Sequence, residues 1–387
     1  LKFYNNEARM NPVLILAALA VVSTAAQAEM KMPNFYGKIT KNYMYVNQED
    51  FANRKTMTGV IDTDNSESRL GAKGFYEINS SLTAKYTLEL GLNSAAADSG
   101  ASSSGRIRMR LAKIDMVSNY GTLTLGQDYT ADSASMLKVD TFSGTVASGV
   151  GADYAAFVAG QDSGIGFMYR SRKDLIKYAT PVFSGVQYVV SVDKNDSRTN
   201  NPAESKGNAT APNSFNYSPT YTTHLISFDK KMDSMTLRLQ TSYTHWAKAS
   251  TGDNSNLHLG AVLGFGNLTF KAGWSKEENE SVASVSTSTD EGTRMTAGLT
   301  YKMGSHTGRL AYYKSDYKET RAATVPKEVS EESSQISAGY EYGFNKYVSM
   351  NTIVSLLSNE ETATTTPVNK PKKNDATVLS VGAVVKF

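Results

Sequence analysis

The sequence predicts an all-β chain closed on itself as a transmembrane antiparallel barrel of 16 strands. Three observations lead there. Apolar and polar residues alternate with a period of two over segments longer than soluble strands usually run. The connections between these segments switch regularly between short and long. A short apolar segment near the start of the chain, closed by Ala26-Gln27-Ala28, reads as an export signal.

Composition fits this class and narrows the function. The 387 residues carry a formal charge of +3, with Lys and Arg spread along the chain rather than clustered, which argues against a nucleic-acid binder. The absence of Cys rules out disulfides and thiolate metal sites. Gly 29, Tyr 22 and only Pro 9 suit strands better than helices. A hydrophobic content of 40% is unremarkable, as expected where each strand turns only half its residues toward lipid.

The export signal comes first. Residues 13–22, VLILAALAVV, are apolar throughout but too few for a membrane-spanning helix, which takes about 20. Cleavage between Ala28 and Glu29 would divide the chain into a signal peptide, 1–28, and a single barrel domain, 29–387. The clearest strand follows at 81–93, SLTAKYTLELGLN. Leu82, Ala84, Tyr86, Leu88, Leu90 and Leu92 share one face; Thr83, Lys85, Thr87, Glu89 and Gly91 share the other. A tilted strand that crosses a membrane needs about 9–11 residues, so this length favours a membrane barrel over a soluble sandwich. The pattern returns at 257–265, 268–275, 294–301, 336–342, 348–356 and 378–387. Tyr43, Tyr45, Trp274, Tyr301, Tyr340 and Tyr342 sit near strand ends, where interfacial aromatics belong. Short turns near 79–80, 118–120, 181–185, 231–234, 264–267, 303–306 and 343–346 alternate with polar loops at 46–66, 94–105, 131–164, 193–220, 248–256, 276–292, 316–333 and 358–376. Together they delimit 16 strands, with both termini on the side of the short turns.

Several short motifs are denser than the general pattern. Residues 34–39 read NFYGKI, 68–74 SRLGAKG, 120–127 YGTLTLGQ and 176–186 IKYATPVFSGV, and Phe387 stands last. In this order and spacing the chain resembles the general, trimeric porins of Gram-negative outer membranes. Asp115 departs from the small residue usual at its place and blurs the register of the fourth strand. The resemblance implies an outer-membrane location, contact with lipid and lipopolysaccharide, and a homotrimer. It implies a water-filled channel for passive diffusion of ions and small hydrophilic solutes. It also implies that the barrel-assembly machinery reads Phe387 on the last strand, that no cofactor is needed, and that the third long loop, about 131–165, folds inward as a constriction.

That loop carries Asp132, Asp140, Asp153 and Asp162 against a single base, Lys138. A basic wall should face it. If Ile107, Met109 and Leu111 point to lipid, Arg106, Arg108 and Arg110 point into the lumen. By the same parity Lys38, Arg69, Lys73 and Lys85 point inward on the first three strands. Opposed charges of this kind tune which ions pass. The arginine ladder keeps open a substrate-specific anion channel as an alternative, and a structural or adhesive barrel is the non-transport alternative. The histidines, His224, His245, His258 and His306, lack metal-ligand spacing, and no H-x-x-x-H or G-x-S-x-G motif occurs, so neither an enzyme nor a metal site is expected.

Overall fold

The structure, a computed structural model, describes residues 33–49, 56–62, 67–92, 107–149, 165–166, 172–194, 220–248, 251–283, 286–322, 327–364 and 372–387. Ala28, Glu29, Arg106, Asp153 and Asp162 lie outside them. The described residues form β1 (Asn34–Glu49), β2 (Thr56–Ile61), β3 (Ser68–Asn79), β4 (Leu82–Leu92), β5 (Ile107–Ser118), β6 (Gly121–Tyr129), α1 (Ser133–Val139), β7 (Arg172–Ala179), β8 (Val186–Lys194), β9 (Thr220–Lys231), β10 (Met235–Lys248), β11 (Thr251–Phe265), β12 (Leu268–Ala283), β13 (Ser286–Met303), β14 (His306–Ala322), β15 (Lys327–Gly343), β16 (Val348–Thr364) and β17 (Lys372–Lys386).

Each strand from β3 to β17 pairs antiparallel with its sequence neighbour, and β17 returns to β1 in the register Lys38↔Lys386 to Glu49↔Asp375. The outer half of β1 pairs with β2 (Asn42↔Ile61) and its inner half with β3 (Lys38↔Arg69). β2 and β3 are therefore two halves of one stave, and the barrel has 16 staves, as the alternation predicts. Closure leaves no edge for lipid to solvate, which is why a sheet can cross a bilayer at all. At the seam, Gly37 and Phe387 exchange backbone hydrogen bonds of 2.9 and 3.0 Å. A side chain at Gly37 would collide with the Phe387 ring, so the two residues fit as a pair.

The outward face is apolar. Leu88, Ile226, Leu259, Leu310, Ile336 and Val354 are exposed there, while their sequence neighbours Glu89, Ser227, His258, Ala311, Gln335 and Ser355 are buried inside. Tyr120, Phe183, Phe265, Tyr301, Phe344 and Phe387 cluster at the short-turn end and form one interfacial belt. Among the described residues, no helix is long and apolar enough to cross a membrane.

Two features differ from the sequence reading. Several polar connections are short, because β11 to β17 run to 15–18 residues each. Much of 276–292 and 316–333 is paired hairpin rather than loop. These stretches extend past the length a bilayer demands, so water lies on both their faces and no apolar alternation marks them as strands. The second feature is a β-bulge in β5. Leu90 pairs with Met109 and Glu89 with Leu111, leaving Arg110 as the extra residue. Ile107 and Met109 face outward, but beyond the bulge the parity inverts. Leu111, Lys113 and Asp115 take the inner face, and Ile114 is exposed outside. The departure at Asp115 is thus a consequence of one inserted residue.

Candidate functional site

After β6 the chain turns inside the barrel and follows the wall stave by stave. The Ala131 backbone N–H donates to Ser191 Oγ on β8 at 3.0 Å. Ser135 on α1 bonds Gln240 on β10 at 2.5 Å. Val139 packs over Gly260 on β11, Lys271 on β12 donates to the Asp140 carbonyl at 2.9 Å, and Thr141 packs over Gly298 on β13. Tyr313 on β14 donates to Asp140 Oδ1 at 2.6 Å, Phe142 covers Gly339 on β15, and Gln335 donates to the Ala147 carbonyl at 2.9 Å. The wall carries small or polar residues where the loop must lie close.

Beyond this point the loop enters an apolar core inside the barrel. Phe142, Val146 and Ala147 pack with Met44 and Val46 of β1, Tyr313 of β14, Ile353 and Leu357 of β16 and Val378 of β17. Burying a residue such as Phe142 stabilises the arrangement by about 1.5–3 kcal/mol. These inward apolar residues fall on the face where the alternation predicts polar ones. They are there because the loop, and not water, covers them.

The loop carboxylates Asp132 and Asp140 are both fully buried. Asp132 accepts from Thr130 at 2.7 Å and lies 3.7 Å from His258 Nε2. Asp140 accepts from Tyr313, from the Phe142 N–H at 3.1 Å and from Ser148. Burial is the largest influence on the Asp140 carboxyl and pushes its pKa above the ordinary aspartate value. Asp140 anchors the loop to the wall and Asp132 is tied to its own neighbours in the loop, where the sequence suggests an acidic band facing the lumen.

The facing wall, β3 to β7, is where the predicted cations gather. Arg69 donates to Glu89 at 3.3 Å, Arg108 to Glu67 at 2.6 Å, and Arg110 to both Glu67 and Glu89, the latter at 2.7 Å. Tyr36 donates to Glu89 at 3.0 Å. Arg110 is fully buried in this network, whereas the side chains of Arg108 and Arg69 remain partly exposed. Lys38 lies across β1–β3 from Arg69, and Lys73 sits 5.3 Å over the Tyr36 ring. Lys73 and Lys85 are exposed on the inner face. Arg172 lies over the Tyr129 ring and donates to its hydroxyl at 3.2 Å. A second cluster joins Lys113 to Asp115 and Asp128 and Lys177 to Asp128.

Glu67, Glu89 and Asp128 are not among the site residues expected from the sequence, and Asp115 stands out there only as an irregularity of register. Glu89 was visible on the polar face of its strand and Glu67 shares the parity of Arg69, so both could have been found as partners. The bulge that brings Arg110 to them shows in the sequence only as the displaced register around Asp115.

The comparisons with known proteins agree with this geometry. Residues 16–362 match the Gram-negative porin family. No curated protein sequence matches the chain. Among solved structures, the anion-selective porin from Comamonas acidovorans superposes with a TM-score of 0.65 at 19% identity, covering 93% of this chain and 100% of that one. The outer membrane channel DcaP of Acinetobacter baumannii gives 0.59 at 14% identity, covering 94% and 99%. A trimer form of OmpT from Vibrio cholerae gives 0.55 at 14% identity, covering 92% and 99%. This chain belongs to the Gram-negative porin family, and its barrel is an outer-membrane channel for passive diffusion.

Proposed function

We propose that the channel is constricted between the inward loop and the β3–β7 wall, prefers anions, and works as a homotrimer. The observation that carries the preference is the asymmetry of the constriction. The loop's Asp132 and Asp140 are buried, while Arg69, Arg108, Lys73 and Lys85 present cationic surface on the opposite wall. A narrow path lined by one sign of charge raises the local concentration of the other. Guanidinium groups suit this role because they stay charged when partly desolvated. Arg106 is proposed to continue the ladder at the start of β5, and Asp153 and Asp162 to moderate it from the loop. The trimer is extended to this chain from the trimer form of the Vibrio cholerae protein.

No catalytic step belongs to this reading. His224 is bonded to Tyr188 at 2.6 Å, His306 to Tyr340 at 2.6 Å, and His258 is buried beneath the loop anchor. The test is planar-bilayer recording of the exported, detergent-extracted protein, whose mass reads whether the chain was cut between Ala28 and Glu29. Ohmic steps in groups of three are expected, with a reversal potential displaced toward the anion in a KCl gradient. A folded barrel that leaves bilayers silent overturns the channel reading. A cation-directed reversal potential overturns the preference.

A further inference from the structure

We propose that Glu67 and Glu89 are specificity-determining residues that hold down the anion preference of the arginine wall, so that anions pass without being trapped. The inference rests on the anion-preferring reading above and names the groups that set its strength.

Both carboxylates are almost wholly removed from solvent, with side chains 3% and 5% exposed. Glu67 comes from the break between β2 and β3 and occupies space left by Gly91, where a Cβ would fall 2.4 Å from the Glu67 carboxyl carbon. Glu89 comes from the inner face of β4. Between them lies Arg110, displaced by the bulge in β5 and bonded to both. A guanidinium buried to this degree without partners would be strongly destabilising, so the carboxylates are a condition of its position. The same carboxylates partner the two arginines that remain partly exposed, Arg69 and Arg108. Three cations and two anions leave one net positive charge in the cluster. Conduction requires attraction strong enough for entry and weak enough for exit. An uncompensated triple-arginine cluster would satisfy the first condition and fail the second. Because the pairs are buried, a passing anion meets the sum of their charges and does not replace a glutamate.

The experiment compares the full-length channel with Glu67→Gln, Glu89→Gln, Arg110→Gln and the double variant Glu89→Gln/Arg110→Gln, by reversal potential in KCl gradients. Each glutamine replacement of a glutamate should raise the chloride-to-potassium permeability ratio about twofold at low salt, the size expected for one unit charge several ångströms from the ion path. The shift should fade at about 1 M salt, as screening requires. Arg110→Gln should lower the ratio, because both carboxylates then face only two guanidinium groups. The double variant should restore the wild-type ratio, which a merely structural role would not do. Should either glutamate variant fail to insert, the opposed outcomes of Arg110→Gln and the double variant still decide. Channels that conduct with an unchanged ratio in every variant, or with a shift that salt does not reduce, overturn the proposal. A silent or cation-preferring wild type instead overturns the reading on which it rests.

Discussion

At the scale of single residues, Asp140 shows what the loop requires of a carboxyl group. It lies on the wall side of the loop, takes hydrogen bonds from Tyr313, Ser148 and the Phe142 N–H, and is fully buried. Desolvation outweighs those bonds and the nearby Lys271, so its pKa is raised in the folded chain. The folded protein then keeps a proton at a pH where the unfolded chain, with an aspartate near about 3.9, has released it. Stability from this group is fully present below the unfolded value and is lost as pH rises through the folded one. Asp140→Asn carries an amide of similar shape and does not titrate. The variant should differ least from wild type at the most acid pH and gain on it as pH rises. The midpoint of heat- or urea-induced loss of the compact form, followed by gel mobility across a pH series, measures this. A wild type that gains on the variant with rising pH would mean that the ionised form is the one the anchor favours. The side chain's chemistry is legible in the sequence, since Asp140 is one of four aspartates set against a single base in the longest loop. Its direction was not, because burial depends on Tyr313, 173 positions away.

The constriction loop, as an element, is held by a relation between two surfaces. Its backbone advances about one stave per anchor, and at Gly298 and Gly339 the wall has no side chain because the loop fills that space. A Cβ at Gly298 would meet Thr141 Oγ1 at 2.1 Å, and one at Gly339 would meet the Phe142 ring at 2.6 Å. Gly298→Val should therefore push the loop off the wall and into the path, lowering single-channel conductance and adding open-channel noise. Gly308→Ala is the control, since nothing lies within 4 Å of its added carbon. If Gly298→Val conducts as quietly and as fully as Gly308→Ala, the loop does not depend on that close approach. Strands and short turns were legible because alternation and turn residues are local signals, and each predicted short turn coincides with a connection between neighbouring strands. The tall hairpins of β12 to β15 were not, because strands wetted on both faces lack the apolar half of the pattern. The bulge at Arg110 escaped for a different reason. One inserted residue inverts parity beyond it, so an alternation followed from Ile107 places Leu111 on the wrong face.

Across the whole molecule, one inversion governs the rest: lipid solvates the outside and the inside holds water, a loop and its charges. Gly37 and Phe387 close the ring, the aromatic belt marks the short-turn interface, and the wall between them alternates outward and inward residues. Neighbouring positions on β4 test the inversion at nearly the same depth. Leu88 is exposed on the outer face, opposite Ala72 and Ala112. Thr87 is on the inner face, opposite Lys73 and Lys113. An arginine that faces lipid near the bilayer midplane costs about 2–4 kcal/mol, and the penalty vanishes where enclosed water can reach the side chain. Leu88→Arg should lose stability by that amount in urea titrations of the barrel refolded into lipid vesicles. Thr87→Arg should lose far less, since its only penalty is repulsion from the two neighbouring lysines across a solvated lumen. It should instead move the reversal potential further toward the anion. A greater loss at Thr87 than at Leu88 would place lipid and water on faces opposite to those assigned here. The arginine wall would then lie outside the conduction path, and no arrangement of glutamates around it could set selectivity.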